Sequence, residues 1–208
     1  SLGAASPTEF YVGRTAFSQQ VIDISASKDL GAVGGINALN VSIGGQSRRD
    51  NFKVNRGDLA AYEVGPLALS GRTAGSNGRP GYAPADENDL SRSNIAAFID
   101  VEADITDAFL VTTAVRYENY SDFGGNLSGK LAARYKLSDA LAIRGSFNRG
   151  FRAPSLAQIG NRVNTSTVQN NQILQTQQIA SSDPRLASLG VGDPKAEISN
   201  NFSAGFTG

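Results

Sequence analysis

The 208-residue chain carries 19 basic and 19 acidic residues, has no net charge, and contains no Cys, His, Met or Trp. Those absences remove thiol chemistry, histidine general bases and nearly all zinc or haem ligation, and they leave no disulfide framework. The basic residues form no patch or stripe along the chain, so no nucleic-acid partner is suggested, and no run of about 18 apolar residues exists to form a transmembrane helix.

Taken in order, Ser1 to about Arg14 is small and polar and reads as a loop. Its opening, Ser1 to Pro7, has no charged leader, so no signal peptide is legible and the chain is expected to be a piece of a longer one. Thr15 to Lys28 alternates, with Ile22, Ile24 and Ala26 against Asp23, Ser25 and Ser27; Ile36 to about Val54 sets Leu39, Val41, Ile43 and Gly45 against Asn40, Ser42, Gly44 and Gln46. These two predict a hairpin. From about 55 to 90 the period is lost among Gly65-Pro66, Gly71, Gly75, Gly78 and Pro80-Gly81, which predicts a long loop ending in an acidic run.

Arg92 to Ser155 predicts four strands of period two joined by short turns. Ile95, Ala97, Ile99, Val101 and Ala103 oppose Asn94, Asp100, Glu102 and Asp104. Val111, Thr113, Val115 and Tyr117 oppose Thr112, Ala114, Arg116 and Glu118. Gly129, Leu131, Ala133, Tyr135 and Leu137 oppose Ser128, Lys130, Ala132, Arg134 and Lys136; Ile143, Gly145 and Phe147 oppose Arg144, Ser146 and Asn148. A second long irregular segment, about 153 to 195, is rich in Asn and Gln between Asn161 and Gln178. It carries one short helix after Asp183, with Asp183 as N-cap, Pro184 at the first helical position and Gly190 past its end. Glu197 to Gly208 is a last strand, alternating through Phe202, Ala204 and Phe206.

The fold class is therefore all-β, an antiparallel up-and-down meander of about seven strands, in one domain over residues 1–208. One face of each strand is apolar, and two environments produce that: a packed core, or lipid around a transmembrane barrel with a wet lumen. Small apolar residues such as Ala97, Ala133 and Gly145 favour lipid, because a sandwich core needs bulk to fill it. Aromatics gather near strand ends, Phe109 and Tyr135 at one and Tyr117, Tyr120, Phe147 and Phe151 towards the other, as two interfacial girdles require; Phe98 breaks the pattern. Connection lengths are expected to alternate strictly, short after strands one, three and five and long after two and six, which predicts tight turns on one side of a membrane and extended extracellular loops on the other.

Arg149-Gly150-Phe151-Arg152-Ala153-Pro154-Ser155-Leu156 resembles the signature late in the barrel of TonB-dependent outer-membrane receptors. Val115 to Gly124 and Gly129 to Tyr135 are similar to the strands that precede it there, and Glu197 to Phe202 to the strand after the long loop. Ala196 stands where that family's pattern has proline, with Pro194 upstream. The match is close over Arg92 to Gly208 and looser, in pattern more than in words, over Ser1 to Val54. The resemblance implies an active-uptake receptor of the Gram-negative outer membrane, a barrel of roughly 22 strands closed by a plug that TonB pulls. It implies outer-membrane lipid, TonB acting through a plug region, and a small nutrient molecule (siderophore complex, vitamin or carbohydrate) as partners. No plug or TonB box is legible, so an internal barrel segment is expected, an open sheet with two aggregation-prone edges.

Polar-face residues Arg116, Glu118, Arg134, Arg144, Asn148 and Arg152 are the candidates for lining the lumen or meeting ligand. Asp100, Glu102 and Asp104 read as salt-bridged lining neutralised by Arg116 across the ladder, against a cation site or a carboxylate pair. Arg144, Arg152, Lys130, Arg134 and Lys136 form a basic ladder facing a plug or an anionic ligand, or pair with those acids. Asp86 to Asp89 lacks the spacing of a calcium loop, and the Asn/Gln segment is a solvated loop or a sugar or siderophore contact. No serine elbow, P-loop or dinucleotide pattern occurs, so no catalytic, metal or cofactor-binding residue is expected. A soluble β-sheet binding module and a passive porin are the competing functions.

Overall fold

A computed structural model describes residues 9–66, 74–75, 81–169, 172–181, 183–192 and 194–208. The start of the expected N-terminal loop, Gly71, Gly78 and Pro80 of the first long connection, and Asn170 and Asn171 lie outside the described residues. Seven strands form one sheet: β1 Arg14–Asp29, β2 Ala38–Asn55, β3 Asn88–Thr106, β4 Phe109–Tyr120, β5 Gly124–Ser138, β6 Leu141–Arg152 and β9 Glu197–Thr207, each next to its predecessor in that order. Two short 3-10 turns, Leu59–Ala61 and Pro84–Asp86, lie between β2 and β3, and between β6 and β9 lie α1 Leu156–Gly160, the hairpin β7 Val163–Gln169 and β8 Gln172–Gln178, and α2 Pro184–Ser188. Among the described residues no helix is long and apolar enough to cross a membrane.

The expected meander is present, with β1 and β9 as its open edges. Its turns are built locally. Val33 and Ile36 exchange backbone hydrogen bonds at 3.1 and 3.0 Å around Gly34 and Gly35. Both glycines have positive φ, +59° and +89°, as a two-residue hairpin turn requires. At the β3–β4 turn the Thr106 hydroxyl accepts from the amides of Ala108 and Phe109 at 3.3 and 3.1 Å. The β4–β5 link is also short, so one tight turn stands at the same end as the two long connections and connection lengths do not alternate strictly.

Pairing runs without a break from Asn94↔Tyr120 through Asp104↔Leu110, and from Phe109↔Tyr135 through Tyr120↔Gly124. Val111, Ala133, Gly145 and Ala204 therefore share one row, and Thr112, Ala132, Ser146 and Ser203 the next, on the opposite face. The apolar face is exposed: Ile24 is 74% exposed, Ile95 68% and Phe202 80%. Phe109 meets Tyr135 edge-on at 6.1 Å and Phe147 meets Phe202 at 4.8 Å on that face. A contiguous exposed apolar sheet face marks contact with something other than water.

Contacts divide the chain into two compact units, residues 1–18, 50–91 and 155–194, and residues 19–49, 92–154 and 195–208. The first has its own small core, where Phe52, Val54 and Leu156 are buried and Tyr82, Leu90 and Ile159 pack against them. A capping box starts α1: the Ser155 hydroxyl accepts from the Gln158 amide at 3.1 Å, and Gln158 Oε1 accepts from the Ser155 amide at 2.8 Å. The helix after Asp183 is as expected; Asp183 Oδ1 accepts from the Arg185 amide at 3.0 Å and Gly190 follows with φ +77°. The Asn/Gln-rich segment is a hairpin rather than irregular chain, paired from Val163↔Gln178 through Gln169↔Gln172.

Candidate functional site

The polar face of the second unit carries a hydrogen-bond network reaching from β1 to β4. Gln46 Nε2 donates to Asp23 Oδ1 at 2.6 Å, and Gln46 Oε1 accepts from Arg116 Nη2 at 2.8 Å. Arg116 Nε donates to Glu118 Oε1, and Glu118 Oε2 accepts from the Tyr120 hydroxyl at 2.7 Å. Tyr120 in turn accepts from Arg48 Nη2 at 3.3 Å. β3 lies between β2 and β4, and the residue in register with Glu118 there is Ala96, 3% exposed. A side chain no larger than alanine at that point lets Arg116 reach over β3 to Gln46.

A second cluster adjoins Tyr120. Arg92, 4% exposed, donates from Nε to Asp122 Oδ2 and from Nη1 to the Pro154 carbonyl, both at 2.7 Å. Its guanidinium lies 5.2 Å from the Phe123 ring centroid and 5.7 Å from that of Tyr120, and those rings stack at 4.4 Å. Phe151 meets Tyr120 edge-on at 5.9 Å. Tyr120 shares the face of Arg116 and Glu118 and is buried, so it belongs to this network and not to an outer girdle.

The family model for the TonB-dependent receptor-like β-barrel matches residues 6–208. The chain belongs to this family. No relative among curated proteins matches it in sequence. Among solved structures it is similar to the siderophore receptor PirA from Acinetobacter baumannii, at 19% identity and TM-score 0.61 over 92% of this chain and 25% of that one. PirA from Pseudomonas aeruginosa aligns at 17% identity and TM-score 0.57, over 92% of this chain and 30% of that one. A mutant of the ferric enterobactin receptor PfeA from the same organism, in complex with enterobactin, aligns at 12% and TM-score 0.59, covering 91% and 25%. The chain thus spans about a quarter of the first of these receptors' length.

Within this piece of a TonB-dependent receptor barrel, the six candidates do not converge on one point. Arg116 and Glu118 are joined in the network. Asn148 Oδ1 accepts from Asn201 Nδ2 at 2.9 Å across the β6–β9 ladder, and Arg152 stands opposite Glu197. Arg134 and Arg144 stand opposite each other. Arg116 does not neutralise Asp100, Glu102 and Asp104: its register partner is Phe98, and the acids face Ala114, Thr112 and Leu110. Spaced at every second residue of one strand, they lie about 7 Å apart and do not close on a single ion. Among the described residues no group of three or more His, Cys, Asp or Glu could hold a metal.

Sequence reasoning did not single out Asp23, Gln46 and Arg48 of the network, nor Arg92, Tyr120, Asp122 and Phe123 beside it. Tyr120 was findable, being two residues from Glu118 on the same face. Arg92, Asp122 and Phe123 depend on a turn folding back on β3, and Asp23, Gln46 and Arg48 on which strands become neighbours, neither of which a period records.

In the first unit, Arg162 joins both long connections. Its Nη1 donates to the Ala85 carbonyl at 2.8 Å and its Nη2 to Asp183 Oδ2 at 3.0 Å, while Arg185 Nη2 donates to the same oxygen at 2.9 Å. The hydrogen bonds from Arg185, with the charge of Arg162 beside it, hold the Asp183 carboxyl well below the usual carboxylate range.

Proposed function

We propose that the chain is a wall segment, within one barrel domain over residues 1–208, of an outer-membrane receptor that binds a small nutrient molecule and imports it with energy supplied through TonB. The observation that carries this is the division of the sheet: one face is predominantly apolar and largely exposed, and the other face holds the Asp23–Gln46–Arg116–Glu118–Tyr120 network. Lipid covers the first face and a wet lumen the second, which is how a barrel wall satisfies both. The two long connections, knit together by Arg162, then face the extracellular side, and the short turns after β1, β3 and β5 face the periplasm.

Ferric siderophores are the favoured ligand class, supported by the receptors that this segment resembles in fold. Barrel-lining arginines and the Arg162 cluster suit anionic cargo. The test is uptake of radiolabelled ferric siderophores by cells producing the receptor that carries this segment, with and without a proton-motive-force uncoupler. Accumulation that stops with the uncoupler is expected. Uptake that continues at the same rate identifies a passive pore instead.

A further inference from the structure

We propose that the polar face of β5 and β6, towards the short-turn end of the sheet, holds a site for a small soluble oxyanion, a phosphate or carboxylate group gripped between Arg134 and Arg144. The two are register partners on neighbouring antiparallel strands, which sets their Cβ atoms about 5 Å apart. Like charges directly opposite each other destabilise a ladder. Among the described residues neither arginine forms an ion pair, and Lys130 and Lys136 add charge of the same sign along that face of β5. The fold therefore concentrates positive charge here and leaves it unanswered.

A hollow of about 320 Å³ lies at this place, lined by Lys130, Arg134, Arg144, Ser146 and Ser203 among others and by no carboxylate. The Ser146 and Ser203 hydroxyls lie 2.7 Å apart, so one proton is used between them and the other is open to an acceptor in the hollow. Two planar guanidinium forks and a hydroxyl suit an oxyanion's several lone pairs, and bidentate bonds of this kind are among the strongest a protein makes. Arg134 and Lys136 also line a neighbouring hollow of about 200 Å³ together with Asp139 of the β5–β6 turn. That acid stands to one side and leaves the Arg144 flank uncompensated.

A small anion fits better than an acidic polypeptide. Asp104 faces Leu110, which faces Arg134, so an acidic row lies two strands away, about 10 Å, on the same face. An extended acidic chain laid across the wall would run against Asp100, Glu102 and Asp104, whereas a single phosphate group need not leave the hollow.

Arginine modification by phenylglyoxal, resolved by mass spectrometry, tests the site without any substitution. It is run on the full chain folded in detergent micelles and, in parallel, on outer membranes from cells producing the receptor. Pyrophosphate, and more weakly phosphate, should slow modification of Arg134 and Arg144 about tenfold, with little change at Arg149, whose register places it on the other face of β6. Sodium chloride at equal ionic strength should protect none of them. Uniform protection at all three arginines, no protection by either phosphate, or better protection by polyglutamate than by pyrophosphate overturns the assignment, the last in favour of a polypeptide occupant. Loss of siderophore uptake or of uncoupler sensitivity would bear on the receptor reading alone, since oxyanion binding requires neither.

Discussion

Arg92, at the start of the regular part of β3, donates from Nη1 to the backbone carbonyl of Pro154 at 2.7 Å, sixty-two residues away. With its second tie to Asp122, this one buried guanidinium holds the β4–β5 turn and the exit of β6 against β3. The Arg149 to Leu156 stretch that carries the family resemblance is thus anchored at its proline by a residue on another strand. Replacing Arg92 with Ala removes charge-assisted bonds and strands the Pro154 carbonyl, and is expected to cost about 1.5–3 kcal/mol. Lysine should restore only part of this, because it lacks the fork. Urea unfolding in detergent, followed by circular dichroism, reads both; equal stability of wild type and Arg92→Ala would remove Arg92 as an anchor.

Phe98 broke the expected aromatic pattern, and Gly44 explains it. Phe98 lies on the polar face, where a Cβ on Gly44 would come within 2.5 Å of its ring and within 2.8 Å of the Ile24 carbonyl. Gly44→Ala should therefore destabilise by about 1–3 kcal/mol through overpacking. Combining it with Phe98→Leu should recover part of that loss, as a double-mutant cycle in urea would show; strict additivity would mean that the ring and the glycine do not interact.

Ala133 and Ala132 are neighbours in sequence and face opposite ways. If the apolar face meets lipid, Ala133→Arg costs about 2–4 kcal/mol near the midplane while Ala132→Arg, on the polar face, is nearly silent. Unfolding from lipid vesicles compares the two. Equal tolerance of both substitutions would show that neither face is immersed in hydrocarbon.

The pairing of Asp183 with Arg162 and Arg185 should make the first unit acid-sensitive only late. A carboxyl whose folded pKa is depressed contributes stability that is fully present above its unfolded value, about 4, and is lost as pH falls through the folded value. Limited proteolysis of the β6–β9 connection should accordingly stay slow at pH 4 and accelerate only in stronger acid. Asp183→Asn should be cleaved faster at pH 7 and change little with pH. A wild-type chain whose cleavage already accelerates between pH 5 and pH 4 would contradict the ion-pair account.

Much of this architecture was legible in the residues themselves. Period-two alternation located the seven sheet strands and their two faces, because a pleated strand sends successive side chains to opposite sides whatever surrounds it. Asp183-Pro184 and Gly190 marked α2, since cap chemistry is local. The capping box that begins α1 was equally local but passed unnoticed at Ser155 and Gln158, in a helix too short to show a period.

What the chain alone left open was partnership. Arg116 was expected to answer the acids of β3 and instead reaches across Ala96 to Gln46. Arg134 and Arg144 read either as part of a basic ladder or as partners of those acids, and it is the register that sets them opposite each other. Alternation assigns a residue to a face, but the register of two strands decides which residue it meets there, and a pairing across β3 or a turn folded onto Arg92 depends on residues far apart in the chain. Those contacts exist only once the sheet has formed, so it was the tertiary structure that turned a charged face into one satisfied network and one unanswered pair of arginines.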